Sequence, residues 1–265
     1  MATFSIKVID AQGRTKFVDS GEDMVSLVVT SEYQEGDRIA FETSEQNIHV
    51  WLQVDDALGA SLVYVTDNVN YKIPFGEKRI NLSPKAFSGD LHYLCARVAR
   101  EDELDQYRNL ALNVCDQHDM ENAYPHASAN VETRGESVFA AKNAIDGVRA
   151  NLSHGEWPYQ SWGINMQDDA VMKVDFGRKI RTDKVVLYTR SDFPHDNWWK
   201  KITLKFSDGS SQDFSLEKSS LPHILTFPEK EIVWVELCNL IKAEDPSPFP
   251  ALSQIEVYGT VVTAG

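Results

Sequence analysis

A loop that follows the turn signal Asp146-Gly147 combines aromatic rings with hydrogen-bonding side chains, and it has the period of neither a helix nor a strand. Glycine suits that turn because it accepts a left-handed backbone. The loop carries Asn151, His154, Gly155, Trp157, Pro158 and Tyr159. Aromatic surface is costly to leave in water unless it packs or binds something. This combination favours a recognition site on a rigid β scaffold over a catalytic centre.

Common catalytic motifs are missing from the sequence. It contains no G-x-S-x-G, no phosphate-cradling G-x-x-x-x-G-K and no G-x-G-x-x-G. His195 and Asp196 are adjacent, so on a strand they would face opposite ways, and no nucleophile motif accompanies them. With 40 acidic residues, a pair of carboxylates does not indicate a glycosidase. We therefore expect no catalytic residues and no enzyme, with a hydrolase or lyase site in residues 1–120 as an open alternative.

Composition and charge narrow the class of protein. The chain has 265 residues, of which 42% are hydrophobic and 25% charged, so it is typical of folded proteins and long enough for two domains. A net charge of −14 disfavours binding to nucleic acid or to an anionic membrane. No apolar run approaches the ~20 residues of a membrane span, and no secretory signal pattern opens the chain. We expect a cytoplasmic protein or an excised fragment of a secreted one, and an oligomer is compatible with either.

The first hundred residues predict short strands separated by turns. Phe4, Ile6 and Val8 alternate with polar residues, which is the period of a half-buried strand. The same signal between turn residues predicts strands at Phe4–Ile9, Thr15–Val18, Met24–Thr30, Arg38–Thr43, Ile48–Val54, Ser61–Val65, Lys78–Leu82 and Leu91–Val98. Such regular spacing is typical of an antiparallel sandwich or jelly roll.

Residues 101–120 have a different character. Leu104, Tyr107, Leu110, Ala111 and Val114 recur at helical spacing after an acidic start, which predicts a short helix or a structured linker. The polar segment that follows predicts a domain boundary. We therefore assign the first domain to residues 1–118, with an unknown role, and the second to residues 122–262.

The second half predicts β structure again. Its predicted strands are Met172–Phe176 before a turn at Gly177-Arg178, then Lys184–Arg190, Ile202–Phe206, Gln212–Leu216, Ile224–Phe227, Ile232–Cys238 and Gln254–Tyr258. Only the segment 138–145 has a helical pattern, so strand and helix do not alternate as in a parallel α/β sheet. The predicted fold class is all-β, with two antiparallel β-sandwich (jelly-roll) domains.

Several ordered motifs of the second half carry a family resemblance. They are Asn143-Ala-Ile-Asp-Gly147, Trp162, Val174-Asp-Phe-Gly177, Val185-Val-Leu-Tyr188 and Gln254-Ile-Glu-Val-Tyr-Gly259. Together they resemble the galactose-binding-like (discoidin, coagulation factor 5/8 type C) β-sandwich, and within it most closely the family 32 carbohydrate-binding modules. The resemblance covers about residues 122–262. It implies the fold more directly than the ligand, because this fold serves sugars, lipids and proteins alike.

The resemblance implies a structural calcium ion that ties the loop after Asp146-Gly147 to the last strand. Asp146 and Glu256 match the two carboxylates of that site, and Asn151 supplies a third oxygen. Calcium takes six to eight oxygen ligands, so carboxylates and main-chain carbonyls suit it. The sequence departs from the family pattern at Val148-Arg149-Ala150, where a Thr or Ser is common. The alternative is that Asp146 caps a turn and Glu256 is a solvated strand residue.

The resemblance also implies a sugar site on loops at one end of the second sandwich. A pyranose lays its apolar face on an aromatic ring, while its hydroxyls need paired donors and acceptors. The candidate ligand-binding residues are His154, Trp157, Tyr159, Arg190, Asp192, His195, Asn197 and Trp199. Arg190 closes a central strand and is the strongest candidate, with a loop-pinning Arg190–Asp192 ion pair as the alternative. Strand alternation turns one of Trp198 and Trp199 inward, so only one can serve as a platform.

These features predict a non-catalytic, lectin-like protein that binds a mono- or oligosaccharide through the loops of the C-terminal sandwich. Carbohydrate is then its partner. Two alternatives remain: a protein-interaction or assembly module that uses the same loops, and an accessory part of a polysaccharide-degrading enzyme. The carbohydrate hypothesis requires an open patch beside Arg190, Asp192 and His154.

Overall fold

Two antiparallel sheets share one hydrophobic core in the N-terminal half of the chain. The computed structural model describes residues 1–152, 155, 157–191 and 197–262. Phe4, Ile6 and Val8 are buried in this core, as their alternation predicts. Strands β2-β1-β4-β7 form one sheet and β6-β5-β8-β3 the other. Their bounds are β1 Thr3–Ile9, β2 Thr15–Glu22, β3 Met24–Val29, β4 Arg38–Thr43, β5 Ile48–Gln53, β6 Ser61–Val65, β7 Val69–Lys72 and β8 His92–Val98.

The segment between the two halves contributes to both. Helix α1 (Glu101–Leu104) is followed by β9 (Arg108–Asn109), which pairs with the last strand, and by β10 (Ala123–Tyr124), which pairs with β6. The predicted short helix thus ends at Leu104, and the rest of residues 101–120 is the structured linker that was its alternative. Its apolar residues divide instead between two cores: Leu110 and Ala111 enter the second, and Cys115 and Met120 the first. Pairing with distant strands outweighs the local helical period.

Long strands build the C-terminal sandwich around the second core. The strand order is β12-β17-β13-β16-β14-β15, with β11 on β13 and β9 on β17. Trp162, Trp199 and Phe176 are fully buried within it. The bounds are β11 His126–Ala129, β12 Trp162–Gly163, β13 Met172–Thr189, β14 Trp199–Phe206, β15 Ser211–Ser215, β16 His223–Lys242 and β17 Ala251–Val261. The predicted all-β class, with antiparallel sheets in sandwich-like layers, is confirmed.

Some predicted elements differ from the observed ones. The span predicted as a strand at Lys78–Leu82 holds the end of a 3₁₀ turn, Gly76–Lys78, and the short strand β7 was not predicted. The helical pattern at 138–145 forms the 3₁₀ segments Ser137–Phe139 and Ala141–Ile145. Among the described residues, no helix is long and apolar enough to cross a membrane.

Gly177 is a bulge within one strand, not the predicted turn between two. β13 continues through it, and the pairing of β13 with β16 shifts register between Asp175 and Ile180. Gly177 has a φ of +63°, and a Cβ there would overlap the ring of Tyr124 on β10. The position therefore needs glycine twice, once for its backbone and once because a ring from the other half packs onto it.

We expect Gly177→Ala to lower the free energy of unfolding by about 3 kcal/mol, since left-handed strain and overpacking add together. Gly209→Ala is the matched control: its φ is +85°, but no heavy atom lies within 4 Å of the added methyl. The control should lose only about 1 kcal/mol from strain. Urea denaturation of both variants measures the difference, and equal losses would contradict the packing argument.

Candidate functional site

Four segments meet at one end of the C-terminal sandwich, which we call the loop end: residues 157–160, 189–191, 197–199 and 249–252. Strand pairing brings them together, because Leu252 on β17 lies opposite both Trp162 and Thr189. Beyond the strands, the Arg190 amide donates to the Ala251 carbonyl at 2.9 Å, and the Asn197 amide donates to the Phe249 carbonyl at 3.2 Å. Main-chain hydrogen bonds thus join the loops after β13 and before β14 and β17, and the pairing of β12 with β17 brings the loop before β12 beside them.

Arg190 lies beneath the loop end and not on its surface. Its side chain is almost fully buried, with 2% of the residue exposed, and Nη1 donates to the Tyr159 carbonyl at 2.7 Å. The strongest predicted ligand contact is therefore a buried side chain in this structure, and its contact with a ligand stays a prediction. A buried guanidinium that satisfies a loop carbonyl is a positioning group. It fixes the segment that carries Trp157 to the end of β13.

Of the two adjacent tryptophans, Trp199 faces the core and Trp198 does not. Trp199 is fully buried and lies 6.2 Å from Trp162, centroid to centroid, so it offers no ring face to a ligand. The expected platform at Trp199 is corrected to Trp198, which is half-buried and has the Lys218 ammonium 5.1 Å from its ring centroid. The side chain of Asn197 is also buried, and Nδ2 donates to the Ala243 carbonyl at 2.9 Å. Asn197 therefore holds the loop and does not reach a ligand.

The loop before β12 exposes part of Trp157. Trp157 and Pro158 are half-buried, whereas Tyr159 is 8% exposed. Burial and the nearby Glu136 carboxylate raise the pKa of Tyr159. The amide of Leu152 donates to the Pro158 carbonyl at 2.8 Å and closes the loop. Of the described candidates in this loop, Trp157 is thus partly exposed, while Tyr159 is buried.

Phe249 is an aromatic residue of the loop end that the sequence analysis missed. It is 49% exposed, although large apolar residues tend to be inside. Its sequence signal is a single ring between prolines, Pro248-Phe-Pro250, outside any strand period. The predicted contacts His154, Asp192 and His195 lie outside the described residues. Trp157, Trp198 and Phe249 are therefore the rings that the described part of the loop end presents.

The oxygens of Asp146 already accept hydrogen bonds from within the chain. Oδ1 accepts from the Val148 amide at 2.8 Å and from Gln254 Nε2 at 2.7 Å, and Oδ2 accepts from Gln160 Nε2 at 2.9 Å. Burial raises the pKa of Asp146 to about 6 in spite of these bonds. N–H donors occupy the oxygens that a calcium ion would need.

Glu256 is paired with a guanidinium. It is 1% exposed; Oε1 accepts from Arg149 Nε at 2.7 Å and also from Arg149 Nη2, and Oε2 accepts from the Tyr258 hydroxyl at 2.9 Å. Asn151, the third expected ligand, is half-buried in the loop after Arg149. A carboxylate that already holds an arginine and a tyrosine does not fit a calcium ligand set. The alternative of a solvated Glu256 is wrong as well.

A second group of potential metal ligands lies in the N-terminal half. Within the described ranges, the side chains of Asp55, Asp56 and His92 form the cluster whose ligand atoms lie within 4.8 Å of one another. Asp55 Oδ2 lies 3.4 Å from His92 Nδ1 and accepts from the Phe87 amide at 3.0 Å, while His92 Nε2 lies 3.0 Å from the Gly89 carbonyl. These contacts tie the loop after β5 to the start of β8, so the cluster has a structural role. No sequence motif joins residues so far apart in the chain.

No protein-family model and no curated protein matches the sequence. Among solved structures, chitosan-binding module 1 of a chitosanase/glucanase from Paenibacillus sp. IK-5 is 19% identical, with a TM-score of 0.40 over 57% of this chain and 98% of that one.

Two further solved structures are similar to the same extent. The family 32 carbohydrate-binding module of C. perfringens NanJ, in complex with galactose, is 19% identical, with a TM-score of 0.37 over 50% of this chain and 91% of that one. The lectin domain of lectinolysin, in complex with Lewis B antigen, is 20% identical, with a TM-score of 0.41 over 58% and 97%. Family 32 and related carbohydrate-binding modules are thus among the structural neighbours of this chain.

Proposed function

We propose that the C-terminal sandwich binds a mono- or oligosaccharide at the loop end without transforming it. The observation that carries the proposal is the set of three aromatic residues, Trp157, Trp198 and Phe249, that expose ring surface on loops joined to one another. An exposed phenyl ring and two partly exposed indoles suit the apolar face of a pyranose.

Buried polar side chains hold these rings in place before any ligand arrives. Arg190 fixes the loop of Trp157 through the Tyr159 carbonyl, and Asn197 fixes the segment of Trp198 through the Ala243 carbonyl. A preorganised site loses less conformational entropy on binding, which favours a weak, polar ligand such as a sugar. We assign the sugar hydroxyls to His154, Asp192 and His195, whose side chains supply donors and acceptors.

We expect a glycan array to show binding of the full chain to a restricted set of saccharides, and titration calorimetry to give affinities between millimolar and micromolar. Trp157→Ala, Trp198→Ala and Phe249→Ala should each weaken binding by about tenfold, because each removes ring surface. Trp234→Ala is the matched control, since Trp234 is also half-buried but lies on β16 opposite Asp175.

An array without hits would contradict the proposal, and so would binding that all three variants leave unchanged. Capture of a protein partner that saccharide does not displace would favour the interaction module instead.

Variants of Arg190 and Phe249 distinguish a residue that positions the loop from a residue that contacts the saccharide. We expect Arg190→Met to weaken saccharide binding and also to lower Tm by about 5 °C or more, since it leaves the Tyr159 carbonyl unsatisfied. Phe249→Ala should weaken binding with Tm nearly unchanged, because its ring is exposed. Thermal denaturation beside calorimetry distinguishes the two, and an Arg190 variant that loses binding at full stability would make Arg190 a direct contact.

A further inference from the structure

Glu256 is a buried carboxylate, and side chains of this chain neutralise its charge and satisfy its hydrogen bonds. It is 1% exposed, and an ionised carboxylate is stable at such a site only if it is paired and hydrogen-bonded. Two nitrogens of Arg149 meet Oε1, and the Tyr258 hydroxyl donates to Oε2. Both oxygens are therefore satisfied by side chains.

Arg149 is held for this task on a second side. Its guanidinium carbon lies 5.4 Å from the centroid of the Tyr188 ring, on the neighbouring strand β13. A planar guanidinium can stack on a ring and pair with a carboxylate at once, which an ammonium group does less well. Arg149 thus joins the loop to both β13 and β17.

Gln254 on β17 bonds to the turn that precedes Arg149, and these bonds fix the orientation of its side-chain amide. Its Oε1 accepts from the Gly147 amide at 3.1 Å, while Nε2 donates to the Asn143 carbonyl at 2.8 Å and to Asp146 Oδ1. Reversing the amide would set Nε2 against a main-chain N–H and Oε1 against a carbonyl, so the amide keeps its N–H towards Asp146. Gln160 is oriented likewise, because its Oε1 accepts from the Tyr159 amide at 3.1 Å.

We propose that the Arg149 guanidinium is the built-in cation of this loop, and that the loop is tied to β17 without a metal ion. The family resemblance implies calcium between Asp146 and Glu256, but here an arginine neutralises Glu256 and amide N–H groups occupy Asp146. The tie is a matter of stability and holds whether or not a saccharide is the ligand.

The test is thermal denaturation of the full chain, which does not depend on any ligand. Arg149→Met keeps the length of the side chain and removes its charge, so Glu256 stays buried without a cation; Tm should fall by about 5 °C or more. Arg134→Met is the matched control. Arg134 also pairs with a glutamate, Glu136, and lies 5.6 Å from an aromatic centroid, but its pair is largely exposed, with side chains 63% and 43% accessible. The control should lose no more than about 2 °C.

Two further measurements keep the test decisive if the Arg149→Met variant does not fold. Adding Glu256→Gln to Arg149→Met should recover most of the lost Tm, because the buried charge is removed with its partner. The unmodified chain should keep the same Tm in millimolar calcium and in EDTA. A Tm raised by calcium and lowered by EDTA would overturn the proposal, as would an Arg149→Met variant as stable as the Arg134→Met control.

Discussion

The side-chain amide of Gln254 is the contact on which the turn at Asp146-Gly147 depends. From the last strand it bonds to the Asn143 carbonyl, the Gly147 amide and the Asp146 carboxylate, and so fixes an irregular turn from three directions. A loop without regular structure must find partners for its buried main-chain groups elsewhere. Side chains supply them here: Gln254 for the turn, and Arg190 for the carbonyl of Tyr159. The surface of the loops follows from what is bonded beneath them.

Further buried side-chain contacts lie between the last strand and the loop end. Glu256 binds Arg149, Asp146 binds Gln254 and Gln160, and the residue next to Gln160 accepts a hydrogen bond from Arg190. Buried polar networks are stable only when nearly every member is satisfied. The part that runs from Gln254 on the last strand through Asp146 to Gln160 at the loop end therefore needs all three side chains in place.

Periodicity in the sequence predicted the architecture well where a strand is half-buried. β1, β4 and β6 match their predicted spans closely, because alternation and core burial coincide there. The helical spacing of Leu104 to Val114 misled, since those residues serve two cores in succession and not one helix face. A local pattern does not show which distant strand will pair with it, and Leu110 bonds to Val257.

The location of the candidate site was predictable from the sequence, but the roles of its individual residues were not. Alternation showed that one of Trp198 and Trp199 faces inward, and only the register of β14 decided which. Arg190 looked like a ligand contact because its partner, a main-chain carbonyl 31 residues away, leaves no mark in the sequence. Arg149 stood out only as a departure from the family pattern.

That departure changes how the loop responds to its surroundings. A bound ion holds a loop only while its concentration exceeds the dissociation constant, whereas a covalently attached guanidinium is always present. A calcium ion coordinates several oxygens at once, whereas Arg149 bonds to one oxygen of Glu256. The oxygens of Asp146 therefore need other hydrogen-bond donors. Gln254 and Gln160 provide them, because each donates a side-chain N–H to a different oxygen of Asp146.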